Sequence, residues 1–176
     1  MPSEGMPSPR RFGSLFALAG FGLATAGAAW LGSRHSPANR KSRQWYQALD
    51  KPSFTPPDAV FPIVWTSLYA MMAWSGWRVW KAPRSLDRSR ALRLWFSQLS
   101  TNAHWSKLFF GKHRPDLALA DVVMLEAFLL GYISAARNVD RAASQAFIPY
   151  AAWVAFAGLL NAEIVRRNPA FAESLA

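Results

Sequence analysis

The sequence contains no cysteine, so disulfide bonds, thiolate metal sites and cysteine nucleophiles are excluded. It has no glycine-rich phosphate loop, and no Ser, His and Asp set stands in a register that would form a hydrolytic triad. Only three histidines are present, His35, His104 and His113. We expect His104 to be a hydrogen-bonding partner rather than a haem ligand, and the sequence predicts no metal site.

Acidic residues are also scarce, because ten Asp and Glu stand against twenty Lys and Arg, a net charge of +10. In a soluble protein this excess would indicate a nucleic-acid partner. Here the basic residues cluster between long uncharged segments, notably within residues 34–51 and 81–93. That arrangement is typical of loops at an anionic lipid surface, so we expect a lipid bilayer as the partner and no nucleic acid.

Three uncharged apolar segments are each long enough for a helix to cross the hydrocarbon core. Two further segments carry internal charges, Lys107 in one and Asp121 and Glu126 in the other, and should turn these groups towards protein. The sequence therefore predicts an all-α membrane protein, folded as a five-transmembrane-helix bundle. The predicted spans are about 12–32, 58–80, 92–111, 115–136 and 142–165.

The spans form a single domain over residues 10–168, between a Pro- and Ser-rich tail predicted to be disordered (1–9) and a C-terminal tail (169–176). A cleaved signal peptide is the alternative interpretation of the first segment, but its length favours a retained helix. Basic residues divide almost evenly between the two sides of the membrane, so charge leaves the orientation open.

The longest connection, residues 33–58, ends in the segment KPSFTPPD. Its prolines, Pro52, Pro56 and Pro57, fix φ and remove backbone donors, which predicts a rigid, extended or turned entry into the second span. Pro149 lies inside the fifth predicted span and should kink it. A loop of this length in a small bundle is usually functional or disordered, and its prolines favour function.

Three spans each carry a face of aromatic or amide residues. Helical spacing places Phe61, Trp65 and Tyr69 on one face of the second span. These faces predict an aromatic cavity for a flat, mostly apolar ligand that amides orient. The alternative is that they are core or lipid-facing residues whose Asn side chains pair helices. The other two faces are Gln98, Asn102 and Trp105 on the third span, and Trp153, Ala157 and Asn161 on the fifth.

Asp121 and Glu126 are five residues apart, about 140° around a helix, so they do not form one paired-carboxylate site. We expect each to be a helix-packing or interfacial partner for an arginine or a backbone group. A proton relay is the alternative.

Three blocks of sequence resemble the TspO/MBR family of translocator proteins, also called tryptophan-rich sensory proteins or peripheral-type benzodiazepine receptors. The blocks are WYQALDKPSFTPPDAVFPIVWTSLY, QLSTNAHWSKLFFG and IPYAAWVAFAGLLNAEIVRRN. They follow the family's order and spacing from Trp45 to Asn168. The resemblance implies a five-helix bundle, commonly dimeric, whose ligand cavity is capped by the first loop. It also implies a multi-pass protein of the bacterial cell envelope, with the inner or outer membrane left open.

The resemblance implies porphyrins such as protoporphyrin IX, or haem, as ligands, with no obligatory cofactor. Transport, sensing or regulation of tetrapyrrole levels is the implied function. Light- and oxygen-dependent porphyrin degradation, with Trp65 and Trp153 as the implied catalytic positions, is the enzymatic alternative, and a membrane scaffold or sterol-binding receptor is another. The implied ligand-binding residues are Tyr46, Pro56, Phe61, Trp65, Tyr69, Asn102, Trp105, Ser106, Trp153 and Ala157.

Two positions depart from the family pattern. Phe54 replaces a tryptophan often found in the KPxWxPP segment, which keeps an apolar plug but loses the indole donor. The animal sterol motif requires a tyrosine after the Leu160–Asn161 pair, and this chain has Ala162 followed by Glu163. Sterol binding through that motif is therefore not expected.

Overall fold

The computed structural model describes residues 9–37 and 39–169, with side chains from residue 13 onwards. The predicted tails, 1–9 and 169–176, lie outside this part of the chain except for Pro9 and Pro169. All regular secondary structure in the described ranges is helical, which confirms the predicted all-α class.

The described residues form five long helices, two short ones and a π-helical turn. Three segments are long and apolar enough to cross a membrane, namely Gly13–Ser33, Pro115–Arg137 and Arg141–Arg167. The helices are α1 (Pro9–Ser33), α2 (Arg40–Ala48), α3 (Val60–Lys81), α4 (Leu86–Ser106, continued by the π-helical turn Lys107–Gly111), α5 (Pro115–Arg137), α6 (Arg141–Gln145) and α7 (Ile148–Arg167).

The helix starts follow from local chemistry. Ser85 caps α4 by accepting the N–H of Arg88 at 3.0 Å, and this bond satisfies one of the free donors at the helix start. Pro115 and Pro149 stand in the first turns of α5 and α7, where a missing N–H costs nothing. The expected kink in the fifth span takes the form of a break: α6 ends at Gln145 and α7 begins at Ile148, with Pro149 in its first turn.

The long helices pack in the ring order α3, α1, α4, α5, α7. The ring closes between α7 and α3 mainly through side chains, including the Phe61 and Trp153 rings at 5.8 Å and those of Trp65 and Tyr150 at 6.1 Å. This order turns faces of α3, α4 and α7 towards one another. The seam between α3 and α7 depends on ring contacts rather than on close backbone approach.

Gly76 lets α1, α3 and α4 approach closely. A Cβ built at this position would lie 2.7 Å from both Phe21 Cδ1 and Trp95 Nε1. The two rings meet edge to face at 4.8 Å, and the buried Trp95 indole donates to the carbonyl of Met72 at 2.9 Å. Only glycine fits at this contact.

A polar cluster joins α3 to α5 and α6. Ser75 Oγ donates to the carbonyl of Ala143 at 2.7 Å and therefore accepts from the Tyr132 hydroxyl at 2.6 Å. Asp140 caps α6 through the N–H of Ala143 and bonds Arg78 Nε at 2.8 Å. Partial burial alone would raise the pKa of Asp140, but the Ala143 amide and the Arg78 guanidinium outweigh it and hold this pKa below its ordinary value of 3.8.

Candidate ligand-binding site

An amide on α4 joins three helices at the centre of the bundle. The Tyr69 hydroxyl of α3 donates to Asn102 Oδ1 at 2.8 Å, and Asn102 Nδ2 donates to the Tyr150 hydroxyl of α7 at 2.9 Å. The Trp65 ring lies 5.6 Å from that of Tyr69 and meets the Tyr150 ring edge to face. Two of the predicted faces, on α3 and α4, therefore meet as expected.

A second amide lies along the same faces. Trp105 Nε1 donates to Asn161 Oδ1 at 3.3 Å, and Asn161 Nδ2 donates to the carbonyl of Pro115 at 2.7 Å. The Trp105 ring also stacks on Phe109 of the π-helical turn at 4.9 Å. Asn161 thus pairs α4, α5 and α7, which is the helix-pairing role that the sequence left open as the alternative.

Trp153 lies where α7, α3 and the first loop meet. Its ring contacts Phe61 at 5.8 Å and Phe156 at 5.6 Å, and Phe156 contacts Phe54 of the loop at 6.3 Å. Phe54 is 49% exposed, so it covers this aromatic group from outside. The Trp153 indole N–H is buried and finds no acceptor among the described residues. A buried donor without a partner is costly, so an acceptor oxygen placed there would be stabilised.

The first loop contains a helix that the sequence did not predict, α2, which carries Tyr46. This side chain is buried against Phe110 and Phe109, at 5.6 and 6.4 Å between ring centres. Lys51 Nζ donates to the Tyr46 carbonyl at 2.8 Å and lies 4.8 Å above its ring. Burial, and to a lesser extent the charge of Asp58, raises the pKa of the Tyr46 hydroxyl above 10.0, so it stays protonated at neutral pH.

The loop is fastened to the end of α7 by a side-chain amide. Asn168 Nδ2 donates to the carbonyl of Asp50 at 3.0 Å, and the Asp50 N–H donates to Asn168 Oδ1 at 3.1 Å. The prolines that follow enter α3 through turns and extended backbone, as predicted. Pro56 is partly buried in this entry segment.

Three of the ten implied ligand residues, Trp65, Tyr69 and Asn102, form the central cluster. Tyr150, which was not among the predicted site residues, also belongs to the cluster; its position one helical turn before Trp153 is the sequence signal for it. Ser106 instead lies against α1, since a Cβ on Gly32 would be 3.3 Å from its hydroxyl. Ala157 is partly buried on α7. Phe61 and Trp153 form a separate aromatic pair, one helical turn away from Trp65 and Tyr150 respectively.

Two concavities open to the surface of the bundle. One, of about 520 Å³, lies between α3 and α7 and includes Trp153 and Pro149 in its lining. The other, of about 540 Å³, lies between α1 and α4. The former adjoins the predicted aromatic site, whereas the latter is separate from it.

The intramembrane carboxylates have different surroundings. His104 Nδ1 donates to Asp121 Oδ1 at 3.0 Å, so the partner of Asp121 is a histidine rather than the arginine or backbone group expected. The second oxygen of Asp121 and the Oε2 atom of Glu126 are buried without a partner among the described residues. Within residues 9–37 and 39–169, no three His, Asp or Glu side chains form a group that could hold a metal ion.

The sequence profile of the TspO/MBR family matches residues 21–167, most of the chain. The chain belongs to the TspO/MBR family. It is similar to protein CrtK of Rhodobacter capsulatus, with 34% identity over 89% of this chain and 94% of the relative. It is also similar to a tryptophan-rich sensory protein of Cereibacter sphaeroides, with 38% identity over 73% and 79% of the two chains.

The human translocator protein is 32% identical over 85% of this chain and 88% of its own length. Together with the bacterial relatives and the three apolar segments, the family identifies a multi-pass bacterial membrane protein.

Proposed function

We propose that this TspO/MBR protein binds a porphyrin or haem between α3, α4 and α7, for transport, sensing or regulation of tetrapyrrole levels. In this proposal the five long helices all cross the membrane as one bundle over residues 10–168, and two copies form a homodimer. The observation that carries the proposal is the single contact cluster that joins Trp65, Tyr69, Asn102 and Tyr150 from three helices.

The chemistry of this cluster suits a flat aromatic ligand. The indoles of Trp65 and Trp153 offer apolar faces for a macrocycle, and each aromatic contact contributes about 0.5–1.5 kcal/mol beyond burial. The free indole N–H of Trp153 and the amide of Asn102 can donate to ligand oxygen atoms. Ring and amide contacts between the helices would be exchanged for similar contacts with the ligand.

The seam between α3 and α7 is the route by which the ligand would enter. Its ring contacts can separate at modest cost, and the groove beside Trp153 already leads to it. The first loop closes one end through Phe54 and is held there by Asn168. A ligand of the membrane interior would therefore reach the cluster laterally, under a fastened loop.

Titration with protoporphyrin IX, followed by the shift of its absorbance band, tests the proposal. We expect the double variant Trp65→Leu/Trp153→Leu to weaken binding about 5- to 150-fold, the equivalent of two lost aromatic contacts. Its matched control is Trp74→Leu/Trp80→Leu, because those two tryptophans are 38% and 39% exposed on α3 and belong to no contact of the cluster. Equal affinities of the two double variants would reject this site.

Light-dependent degradation of the porphyrin is a second candidate, favoured by the rings around Trp65. This indole lies between Tyr69 and Tyr150, so three oxidisable side chains are in contact. An excited porphyrin beside them can take an electron from the indole or generate reactive oxygen that attacks it. Illuminating the complex in air distinguishes the two functions: decay no faster than that of free porphyrin in detergent rejects degradation and leaves binding intact.

A scaffold role for partner assembly, or a sterol receptor, makes the opposite prediction. In either case variants of Trp65 and Trp153 would keep the cellular phenotype, while variants of the basic loops would lose it. No contact of the described structure favours these roles over porphyrin binding.

A further inference from the structure

A groove between α1 and α4 lies apart from the aromatic cluster and has a volume of about 540 Å³. Its walls are mostly apolar, beginning at Leu23 and Phe96. At the other end it reaches His35, His104 and Lys107, where α4 passes into the π-helical turn. The groove is therefore amphipathic along its length, apolar at one end and basic at the other.

The length of the groove corresponds to one leaflet of a bilayer. From Phe96 to Lys107 the helical rise is about 16 Å, at 1.5 Å per residue. Half of a hydrocarbon core about 30 Å thick is about 15 Å. The apolar end therefore lies near the bilayer centre when Lys107 is at the headgroup level. A single acyl chain fits this span.

The basic end presents one unpaired cation. Lys107 is exposed and has no carboxylate within ion-pair distance in the described structure. His104 is held from behind by Asp121, whose side chain is only 12% exposed, so that negative charge is shielded from the groove. His35 packs closely against Gly111, at 2.8 Å from a Cβ built there, which leaves it in place beside Lys107.

We propose that this groove binds a bilayer phospholipid with an anionic headgroup. One acyl chain lies between α1 and α4, and the phosphate contacts Lys107 with the imidazoles of His35 and His104 beside it. A porphyrin fits less well, because Phe96 is the only Phe, Tyr or Trp in the lining that could stack on a macrocycle. A phosphate supplies the counter-charge that the exposed Lys107 ammonium lacks.

Native mass spectrometry of the full-length protein, released from detergent with added lipid, measures the site directly. Phosphatidylglycerol and phosphatidylcholine with the same acyl chains are compared at equal concentration. We expect Lys107→Gln to weaken phosphatidylglycerol binding about fivefold and to leave phosphatidylcholine unchanged. Lys112→Gln is the matched control, an exposed lysine at the same end but outside the groove lining. Equal weakening by both variants would overturn the proposal, because it would show a general effect of surface charge.

A second pair of variants tests the acyl chain. Apart from the helix's own backbone and chain neighbours, no described atom lies within 4 Å of a Cβ built on Gly27 or Gly20, so both positions have open space for a larger side chain. Gly27 lines the groove and Gly20 does not. We expect Gly27→Leu to reduce retention of both lipids and Gly20→Leu to reduce neither. If Gly27→Leu changes the oligomeric state but leaves lipid retention unaltered, or if protoporphyrin IX displaces the lipid, another occupant fills the groove and the proposal fails.

Discussion

Replacing Asn102 with alanine tests whether one amide holds the interior of the bundle together. The Tyr69 hydroxyl would lose its acceptor, and the Tyr150 hydroxyl, on a residue 1% exposed, would lose its donor. Hydrogen bonds between membrane helices contribute about 0.6 kcal/mol each, so two give about 1 kcal/mol. A buried hydroxyl left without a partner raises the loss towards about 3 kcal/mol. We expect Asn102→Ala to lower the free energy of unfolding by about 1–3 kcal/mol.

Equilibrium unfolding by SDS in mixed micelles, followed by tryptophan fluorescence, measures this loss. Thr101→Ala is the matched control on the same helix, because Thr101 Oγ1 donates to the carbonyl of Ser97 one turn earlier and joins no second helix. That variant should change the free energy of unfolding by no more than about 0.5 kcal/mol. A loss in Asn102→Ala no larger than in the control would refute the reasoning.

A double-mutant cycle identifies the partner through which the amide acts. Tyr150→Phe removes the hydroxyl that accepts from Asn102 Nδ2 and retains the ring that meets Trp65. In that background Asn102→Ala should cost less than in the wild type, with a coupling of about 0.5 kcal/mol or more. Additive losses would show that the two side chains act independently, contrary to their contact in the structure.

Two further variants test contacts between helices outside the central cluster. The pKa of Asp140 is held below its ordinary value of 3.8, so the folded protein binds this proton less tightly than the unfolded chain does. The stability that the bond from Asp140 to Arg78 supplies at neutral pH is therefore lost as the pH falls below about 4. The difference between the unfolding midpoints at pH 7 and pH 3 should therefore be smaller in Asp140→Asn than in the wild type. An equal difference in the two proteins would contradict this prediction. Gly76→Ala should destabilise the protein by about 1–3 kcal/mol, because the new Cβ would lie 2.7 Å from Trp95. Thermal unfolding beside Gly20→Ala, where no described atom is near, checks this, and equal midpoints would be evidence against the clash.

The secondary structure was predictable where helices are long and their pattern is strong. The helical period alone placed Trp65 and Tyr69 on one face of α3, and in the structure Tyr69 on that face contacts Asn102. The helix α2 was missed because nine residues of polar sequence do not form a stable helix alone. The helix is stabilised instead by the packing of Tyr46 against Phe109 and Phe110, which lie in another part of the chain.

Pairings between helices were not predictable from periodicity. The partner of Asp121 was expected to be an arginine or a backbone group, and it is His104 on α4. Tyr150 was missed for the same reason, because its role depends on an amide from a helix distant in sequence. The family resemblance supplied candidate positions, and Ser106 shows that a position shared with a motif can still face a different helix.

The sequence by itself determined the membrane environment, the all-helical class and the family, because these depend on the length of apolar segments and on local motifs. It also determined which residues share a helix face. The tertiary structure decided which faces meet, since ring order and helix rotation are set by packing at places such as Gly76. It also decided that the seam between α3 and α7 is held by side chains and that α1 and α4 enclose a basic-ended groove. Such features depend on distances between segments remote in the chain, which no local pattern contains.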